Sequence, residues 1–161
     1  MRAGARASRF DAVEPALART IAETEHGSER DRFGELLVEH LERVAAAVPP
    51  DARATAWLHD VLEHSDIDPA ELCAEGLSDV ELAALELLTR TPTELYELYV
   101  LRIAHATGAE GRLARAVKLA DLDDHLAHGR MPATAPPYAW ARRHIATSQA
   151  RRDLPAQKGA A

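Results

Sequence analysis

The sequence predicts an all-α fold, a single helical bundle of about seven to eight helices. Apolar residues recur three and four positions apart in one segment after another, and no segment shows the alternation typical of a strand. Hydrophobic residues make up 47% of the chain and aromatic residues only 4%, with Ala and Leu dominant, a composition that favours packed helices. At 161 residues the chain has the length of one ordinary domain.

The helical periodicity divides into eight segments, separated by Gly, Pro and other breaking residues. The first segment ends before Gly27, and the second stops at Pro49 and Pro50. The segments cover about 11–25, 29–48, 52–64, 69–75, 79–90, 92–107, 110–128 and 137–152. Five local signals support their ends: Asp51 as an N-cap, Asp68-Pro69 at a helix start, capping boxes at Ser78 to Glu81 and Thr91 to Glu94, and Gly108 as a terminator.

Charge and cysteine content exclude several classes of function. The net charge of −7 argues against nucleic acid as a partner, because a polyanion is attracted by excess positive charge. The single cysteine, Cys73, cannot form an internal disulfide, so a cytoplasmic location is expected. No apolar run is long enough for a membrane span, and the first ten residues lack the apolar centre of a secretory signal. The oligomeric state is left open.

Polar residues interrupt the apolar stripes of two predicted helices. His40 lies on the stripe formed by Leu37, Leu41 and Val44, and Asp121 lies one helical turn after Val117. An isolated carboxylate is costly to bury, so it is expected to protonate, to pair, or to bind a cation. The pair His59-Asp60 adds a second imidazole and a second carboxylate. Together these four side chains are a ligand set suited to a transition metal.

The order of these residues resembles the HD superfamily of metal-dependent phosphohydrolases, whose pattern is H…HD…D on three helices. The run GELLVEHLERVA (34–45) is similar to the GEPYIxHPxxVA motif of alarmone synthetase-hydrolases and small alarmone hydrolases. The run TAWLHDVLEHSD (55–66) resembles ATALLHDVVEDT, and ARAVKLADLDDHL (114–126) resembles ARAVKLADRLHNL. Between them, LLTR (87–90), Tyr96 and Tyr99 match the family's LTK and YxxY. The resemblance covers roughly residues 28–128.

The resemblance implies a bundle of the HD type that holds one divalent metal ion. Its ligands would be His40, His59, Asp60 and Asp121. Manganese is the expected ion, with zinc, iron, cobalt and nickel as alternatives, because affinity order alone does not select the metal in a cell.

Further residues receive roles from their positions near these ligands. Glu63 would orient or deprotonate the water nucleophile, and Lys118 would contact a phosphate. Arg30 and Arg32 occupy the place of basic residues that contact the nucleotide in alarmone hydrolases. For all four there is a simpler reading as solvated or snorkelling surface residues.

Two departures from the family pattern bear on the substrate. His64 replaces the Asp of the HDxxED motif, so an imidazole would have to protonate the leaving group. His125 and His128 replace the Asn and Thr that hold the nucleoside. These changes favour the same chemistry on a different small phosphorylated molecule, most simply another nucleotide.

The sequence therefore predicts an enzyme, a metal-dependent hydrolase of a phosphoester or pyrophosphate bond in a nucleotide-like substrate. Two alternatives stay open: a (p)ppGpp 3′-pyrophosphohydrolase, and a non-catalytic HD module that binds a nucleotide or a metal. A helical bundle without a metal is a third. The expected organisation is an N-terminal arm and first helix (1–28), the HD core (29–130), a linker and terminal helix (131–152) and a disordered tail (153–161). His105 is assigned no role.

Overall fold

The computed structural model describes residues 13–31, 34–128 and 137–153. Within these ranges the protein is all-α, as predicted, and its only β-type pairing is the isolated bridge between Arg30 and Leu36. The helices are α1 (Pro15–His26), α2 (Leu37–Ala47), α3 (Arg53–Trp57), α4 (Val61–His64), α5 (Pro69–Ala74), α6 (Asp79–Leu88), α7 (Tyr96–His105), α8 (Gly108–Ala127) and α9 (Tyr138–Asp153). Counting α3 and α4 as one broken helix gives the predicted number.

Helix α8 is the centre of the bundle. It packs against α2, α6, α7 and α9, and α1 packs on α3 at the other side. Its fully buried residues, which include Ala114, Val117 and Leu122, face these neighbours. Because α8 also contacts α3, and so five helices in the described part of the chain, a polar side chain on its buried face can meet side chains from several of them. Among the described residues, no helix combines the length and the apolar character needed to cross a bilayer.

The predicted helix at 29–48 begins later than expected. The segment before Leu37 is a turn, in which Asp31 N donates to Glu35 O at 2.9 Å and Gly34 has a φ of +85°. A φ of this sign suits glycine and is unfavourable in a right-handed helix. The helix prediction is therefore wrong for residues 29–31 and 34–36, whereas His40 and its apolar neighbours do lie on α2.

Two of the predicted caps form and two do not. Asp68 and Ser78 cap α5 and α6, each within a complete capping box. Asp51 does not cap a helix, because it lies in a 3-10 turn, Pro50–Ala52, and pairs with Arg112 at 2.7 Å. The box predicted at 91–94 is also wrong, since α7 starts after Leu95 without a side-chain cap. Gly108 begins α8 instead of ending α7.

The capping box of α6 also holds the N-terminal segment in place. Glu81 is 2% exposed, and its carboxylate accepts from Ser78 N and Ser78 Oγ at 3.0 and 2.7 Å. The same carboxylate accepts from Val13 N at 3.1 and 3.2 Å. One buried side chain therefore satisfies the start of α6 and the backbone that leads into α1.

We expect Glu81→Ala to lower the free energy of unfolding by about 1–3 kcal/mol, because it leaves several buried donors without an acceptor. Glu71→Ala is the matched control, since Glu71 completes an exposed capping box at α5 and should cost less than about 1 kcal/mol. Urea unfolding of both variants, followed by circular dichroism, measures the difference. Equal losses would show that the contact with Val13 adds nothing.

Candidate metal and active site

A cavity of about 200 Å³ opens over the buried face of α8, where α4, α6, α7 and α9 meet it. Most of the residues around it are polar, in contrast to the surrounding core. Its walls are formed by His59, Asp60, Glu63, His64, Leu88, Arg90, Tyr96, Tyr99, Lys118, Asp121, His125 and Tyr138. Three of the four predicted ligands therefore line one cavity, and the fourth, His40, lies directly beside it.

His59 lies in the turn between α3 and α4, where the predicted helix 52–64 is broken. Its ring Nδ1 lies 2.8 Å from the carbonyl oxygen of Ala56. A carbonyl only accepts, so Nδ1 carries a hydrogen, and in the neutral ring Nε2 carries the lone pair. This Nε2 is buried and has no hydrogen-bond partner among the described residues. The break in the helix thus fixes the tautomer that a metal ligand requires.

His40 is held in a similar way by a carboxylate. Its Nδ1 lies 2.8 Å from Asp124 Oδ2, and Asp124 also accepts two hydrogen bonds from Arg43. Arg43 in turn pairs with Glu35 at 2.6 Å. An imidazole whose second nitrogen is bound to a carboxylate is the usual arrangement behind a metal-binding histidine. Here it directs Nε2 of His40 towards Asp121, at 3.3 Å.

Three of the four predicted ligands, His40, His59 and Asp121, converge from α2, the α3–α4 turn and α8, and Asp60 lies beside His59. Asp121 Oδ1 lies 3.3 Å from His40 Nε2 and 3.9 Å from His59 Nε2. Asp60 Oδ1 lies 3.4 Å from the same nitrogen of His59. The ligand atoms of His40, His59 and Asp121 all lie within 4.8 Å of one another. Two ligands of one ion, each about 2.1 Å from it, are roughly 3.0–3.4 Å apart at octahedral or tetrahedral angles. The separations of 3.3 and 3.4 Å fit this range, and the separation of 3.9 Å lies above it.

Positive side chains surround the Asp121 carboxylate. Lys118 Nζ lies 2.7 Å from Oδ2, and His125 Nδ1 lies 2.9 Å from Oδ1. Burial alone would raise the pKa of Asp121, but Lys118, His125 and His40 outweigh it and hold the pKa well below its usual range. Lys118 is affected in the opposite sense, since Asp121 raises its pKa although burial lowers it. The carboxylate is therefore ionised and the ammonium is charged.

The carboxylates of Asp121 and Asp124 also change the pKa of His40. Burial lowers its pKa, but hydrogen bonds to Asp121 and Asp124 raise it to about 10. Burial would raise the pKa of Asp124, but its hydrogen bonds with His40 and Arg43 hold the pKa far below its usual value. Without a bound cation, His40 is therefore an imidazolium at neutral pH that neutralises part of the acidic charge.

The donor set fits a transition metal. Two imidazole nitrogens and two carboxylate oxygens suit manganese, zinc or iron, and their mixed character does not select among these ions. The buried, unpartnered Nε2 of His59 is the strongest single indication, because an unsatisfied buried polar atom is rare and costly. The carboxylate behind His40 and the carbonyl behind His59 supply the supporting contacts that such sites use.

The other predicted site residues fall into three groups. Glu63, His64, Lys118 and His125 line the cavity. Arg30 and His128 do not, because Arg30 is exposed and donates to Gly34 O, and His128 lies beyond the end of α8 with its Nδ1 2.7 Å from Asp124 O. Arg32 lies outside the described residues.

Glu63 lies four residues after His59 in the sequence, a spacing that would place both on one face of a continuous helix. His59 and Glu63 do not share a continuous helix, because α3 ends at Trp57 and α4 begins at Val61. Glu63 nevertheless reaches the cavity, where its Oε2 accepts from Arg90 N at 3.0 Å. This contact fixes the carboxylate against the end of α6.

Several residues of the site received no role from the sequence. Asp124 and Arg43 support His40, and Arg90, Tyr96 and Tyr138 line the cavity. A signal existed for Arg90, which stands where the similar families carry the Lys of LTK. Tyr138 belongs to α9, and no local pattern connects it to a site on α8.

No protein-family model matches this chain, and no curated protein matches it with significant similarity. The interpretation of the site therefore depends on the geometry and the chemistry of its own residues.

Proposed function

We propose that this chain is a metal-dependent phosphohydrolase of the HD type, which hydrolyses a phosphoester or pyrophosphate bond in a nucleotide-like substrate. One observation carries the proposal: His40, His59 and Asp121 come from three separate segments, and their ligand atoms lie within 4.8 Å of one another. Asp60 lies beside His59 Nε2, a buried nitrogen without a hydrogen-bond partner among the described residues. A helical bundle without a ligand would gain no stability from such an arrangement, because unsatisfied buried polar atoms cost free energy.

His40, His59, Asp60 and Asp121 would hold one divalent ion, with manganese as the first candidate. When bound, the ion supplies Lewis acidity to the phosphoryl group and to a water nucleophile. The protein itself supplies orientation and proton transfer. Because Arg90 N holds Oε2 of Glu63, Oε1 is the oxygen we assign to accept the proton of the attacking water. His64, on the same wall, can return a proton to the leaving group.

Three side chains of the cavity wall are suited to bind the phosphate. Lys118 donates to Asp121 and also interacts with the side chain of Tyr99, which leaves at least one of its three donors for a substrate oxygen. Arg90 adds a second positive charge to the wall. The hydroxyl of Tyr96 is buried and has no partner within the part of the chain that the structure describes. Burial raises the pKa of Tyr96 above its usual range, so the group stays a neutral hydrogen-bond donor.

A non-catalytic module that binds a metal or nucleotide is the second candidate. It is favoured by His64, which stands where the similar hydrolases carry a carboxylate. The presence of Glu63 on the cavity wall favours the enzyme, since a binding module has no need of a general base there.

The metal content of the purified protein is the first test. The chain is purified without chelator, loaded with manganese, dialysed and analysed by inductively coupled plasma mass spectrometry. We expect about one ion per chain. Retention of no ion would contradict both the enzyme and a metal-binding module, and leave a module that binds a nucleotide alone or a plain helical bundle.

A substrate screen distinguishes the hydrolase from the non-catalytic binding module. Nucleoside phosphates, (p)ppGpp and generic phosphoesters are incubated with the manganese-loaded protein, and released phosphate or pyrophosphate is measured. Turnover that is abolished by chelator supports the hydrolase. A loaded protein that releases neither product from any of these compounds would support the binding module. Turnover of (p)ppGpp above all others would select the alarmone hydrolase.

Metal binding should release a proton. Because the pKa of His40 is raised to about 10 without the ion, the ring is protonated at pH 8 and must lose that proton to become a ligand. The apparent affinity for manganese should therefore rise about tenfold per pH unit between about pH 7 and 9 and become independent of pH above about pH 10. Calorimetric titration of manganese in Tris and in HEPES, which differ in ionisation enthalpy, counts the protons. Release of none at pH 8 would contradict this ligand assignment for His40.

Asp124→Asn should weaken manganese binding about 10- to 100-fold, because it removes the carboxylate that orients His40. Asp123→Asn is the matched control, since Asp123 is adjacent, exposed and paired with Arg142 outside the cavity. Competition with a fluorescent metal indicator measures both affinities. Equal effects of the two substitutions would show that Asp124 has no special connection to the ion.

A further inference from the structure

A second cavity, of about 410 Å³, lies on the other side of α9 and shares no lining residue with the first. This volume falls within the range of about 300–1,000 Å³ typical of small-molecule sites. Its walls are formed by His105, Trp140, Arg143, His144, Thr147, Ser148 and Arg151. The lining contains aromatic rings, hydroxyl groups and cations, and no carboxylate.

Two neighbouring rows of α9 build this cavity. Trp140, His144 and Ser148 are four residues apart and form one row, and the adjacent row is Arg143, Thr147 and Arg151. The indole of Trp140 stacks on the imidazole of His144, with ring centroids 5.3 Å apart and an interplanar angle of 22°. His105, at the end of α7, meets the edge of His144 at 6.1 Å. The helix thus presents a flat aromatic surface beside a row of cations.

The two arginines of this cavity lack the partners that their neighbours have. Arg142 pairs with Asp123, and Arg152 donates to the carbonyl oxygens of Ala104 and His105. The guanidinium groups of Arg143 and Arg151 make no hydrogen bond or ion pair with any residue in the described ranges. Their Cα atoms are eight residues apart, about 12 Å along the helix axis, so the two charges can contact different parts of one extended anion.

His144 provides an independent indication of a ligand. Its Nε2 is buried and has no hydrogen-bond partner in the described part of the chain. This is the same situation as that of His59 in the first cavity. A ligand with an acceptor or donor near this nitrogen would remove an unfavourable term from the folded protein.

We propose that this cavity is a second binding site, which takes a nucleoside phosphate with its base against Trp140 and its phosphates on Arg143 and Arg151. An aromatic surface next to paired guanidinium groups is the chemistry that recognises a flat base joined to an anionic chain. The net charge of −7 disfavours a long polyanion such as RNA, for which attraction depends on extended positive surface. The site is separate from the proposed hydrolase site and does not depend on a metal ion.

Tryptophan fluorescence can follow this site alone. The chain has two tryptophans, and Trp57 is 8% exposed in the core at α3, so Trp57→Phe leaves Trp140 as the reporter. We titrate this variant with ADP, adenosine and inorganic phosphate at fixed ionic strength in EDTA, which prevents metal-dependent hydrolysis. We expect saturable quenching by ADP, weaker binding of adenosine, and no quenching by phosphate alone.

Substitutions then locate the binding. Arg143→Ala/Arg151→Ala should weaken ADP binding at least tenfold, whereas Arg142→Ala, on the same helix but paired with Asp123, should not. Arg112→Ala, which removes an exposed arginine paired with Asp51 outside both cavities, should also leave the ADP affinity unchanged. Calorimetric titration of the natural chain with ADP in EDTA provides a second measurement that does not depend on the tryptophan variant.

Two outcomes would overturn the proposal: ADP that binds no better than phosphate, or an ADP affinity that the double arginine variant retains. Because none of these titrations involves turnover, their failure leaves the proposed hydrolase untouched, and failure of the hydrolase leaves this site untouched.

Discussion

Asp121→Asn should remove metal binding and lower kcat/KM by on the order of 10³-fold or more, since an ion contributes several kcal/mol of transition-state stabilisation. The substitution keeps the size of the side chain and removes its charge. Asp121 is 4% exposed and lies close to both histidine nitrogens, so no neighbouring carboxylate can take its place without movement. Metal content and phosphate release, measured on the same preparation, test the prediction. Unchanged turnover would exclude this site as the catalytic centre.

Loss of stability must be separated from loss of the ligand. Lys118 loses its carboxylate partner in Asp121→Asn, and an unpaired charge at a buried position costs about 3–5 kcal/mol. The double variant Asp121→Asn/Lys118→Met removes this charge and should recover most of the stability without recovering the metal. Recovery of both would mean that Asp121 acts through folding alone.

Glu63→Gln should lower kcat by about 10²- to 10⁴-fold, because a general base contributes to this extent, while manganese binding stays unchanged. Glu63 lines the cavity but is not among the side chains that converge on the buried histidine nitrogens. Gln keeps the acceptor for Arg90 N and cannot take a proton. Steady-state kinetics with a metal titration on the same variant separates the two effects.

Glu86→Gln is a suitable control for this experiment. Glu86 is also exposed and lies on α6, away from the first cavity. It should leave kcat within about twofold, as substitutions outside a site usually do. A Glu63→Gln variant that retains its kcat would remove the general base from the proposed mechanism and favour the binding module.

Periodicity and composition were sufficient for the fold class, because helices such as α1, α2 and α7 each have a clear apolar face. The capping boxes of α5 and α6 were equally readable, since all of their contacts are local. The start of α2 was not predictable from the sequence, because the chain before it turns at Gly34, which has a positive φ. The break at His59 depends on a hydrogen bond between a side chain and the carbonyl of Ala56, which competes with the helix in a way that periodicity does not reveal.

The candidate site was predictable to the extent that residue type alone carries the signal. His40 and Asp121 were noticeable as polar residues among apolar ones, and the structure does bring them together. Asp124, Arg90 and Tyr138 reach the site from positions where polar or aromatic residues are ordinary. They contribute to the site only because α2, α6 and α9 pack on α8. Tertiary packing also decides that Arg30 and His128 are exposed and do not line the cavity.

The positive charges next to Asp121 have a consequence for the protein before it binds the proposed ion. Lys118 and His40 already offset part of the acidic charge, so we expect the chain to fold without an ion, unlike small zinc domains that are unfolded when apo. The newly made protein can then equilibrate with whichever dications its surroundings supply. Metal availability during maturation, more than the ligand set, would decide which element it carries.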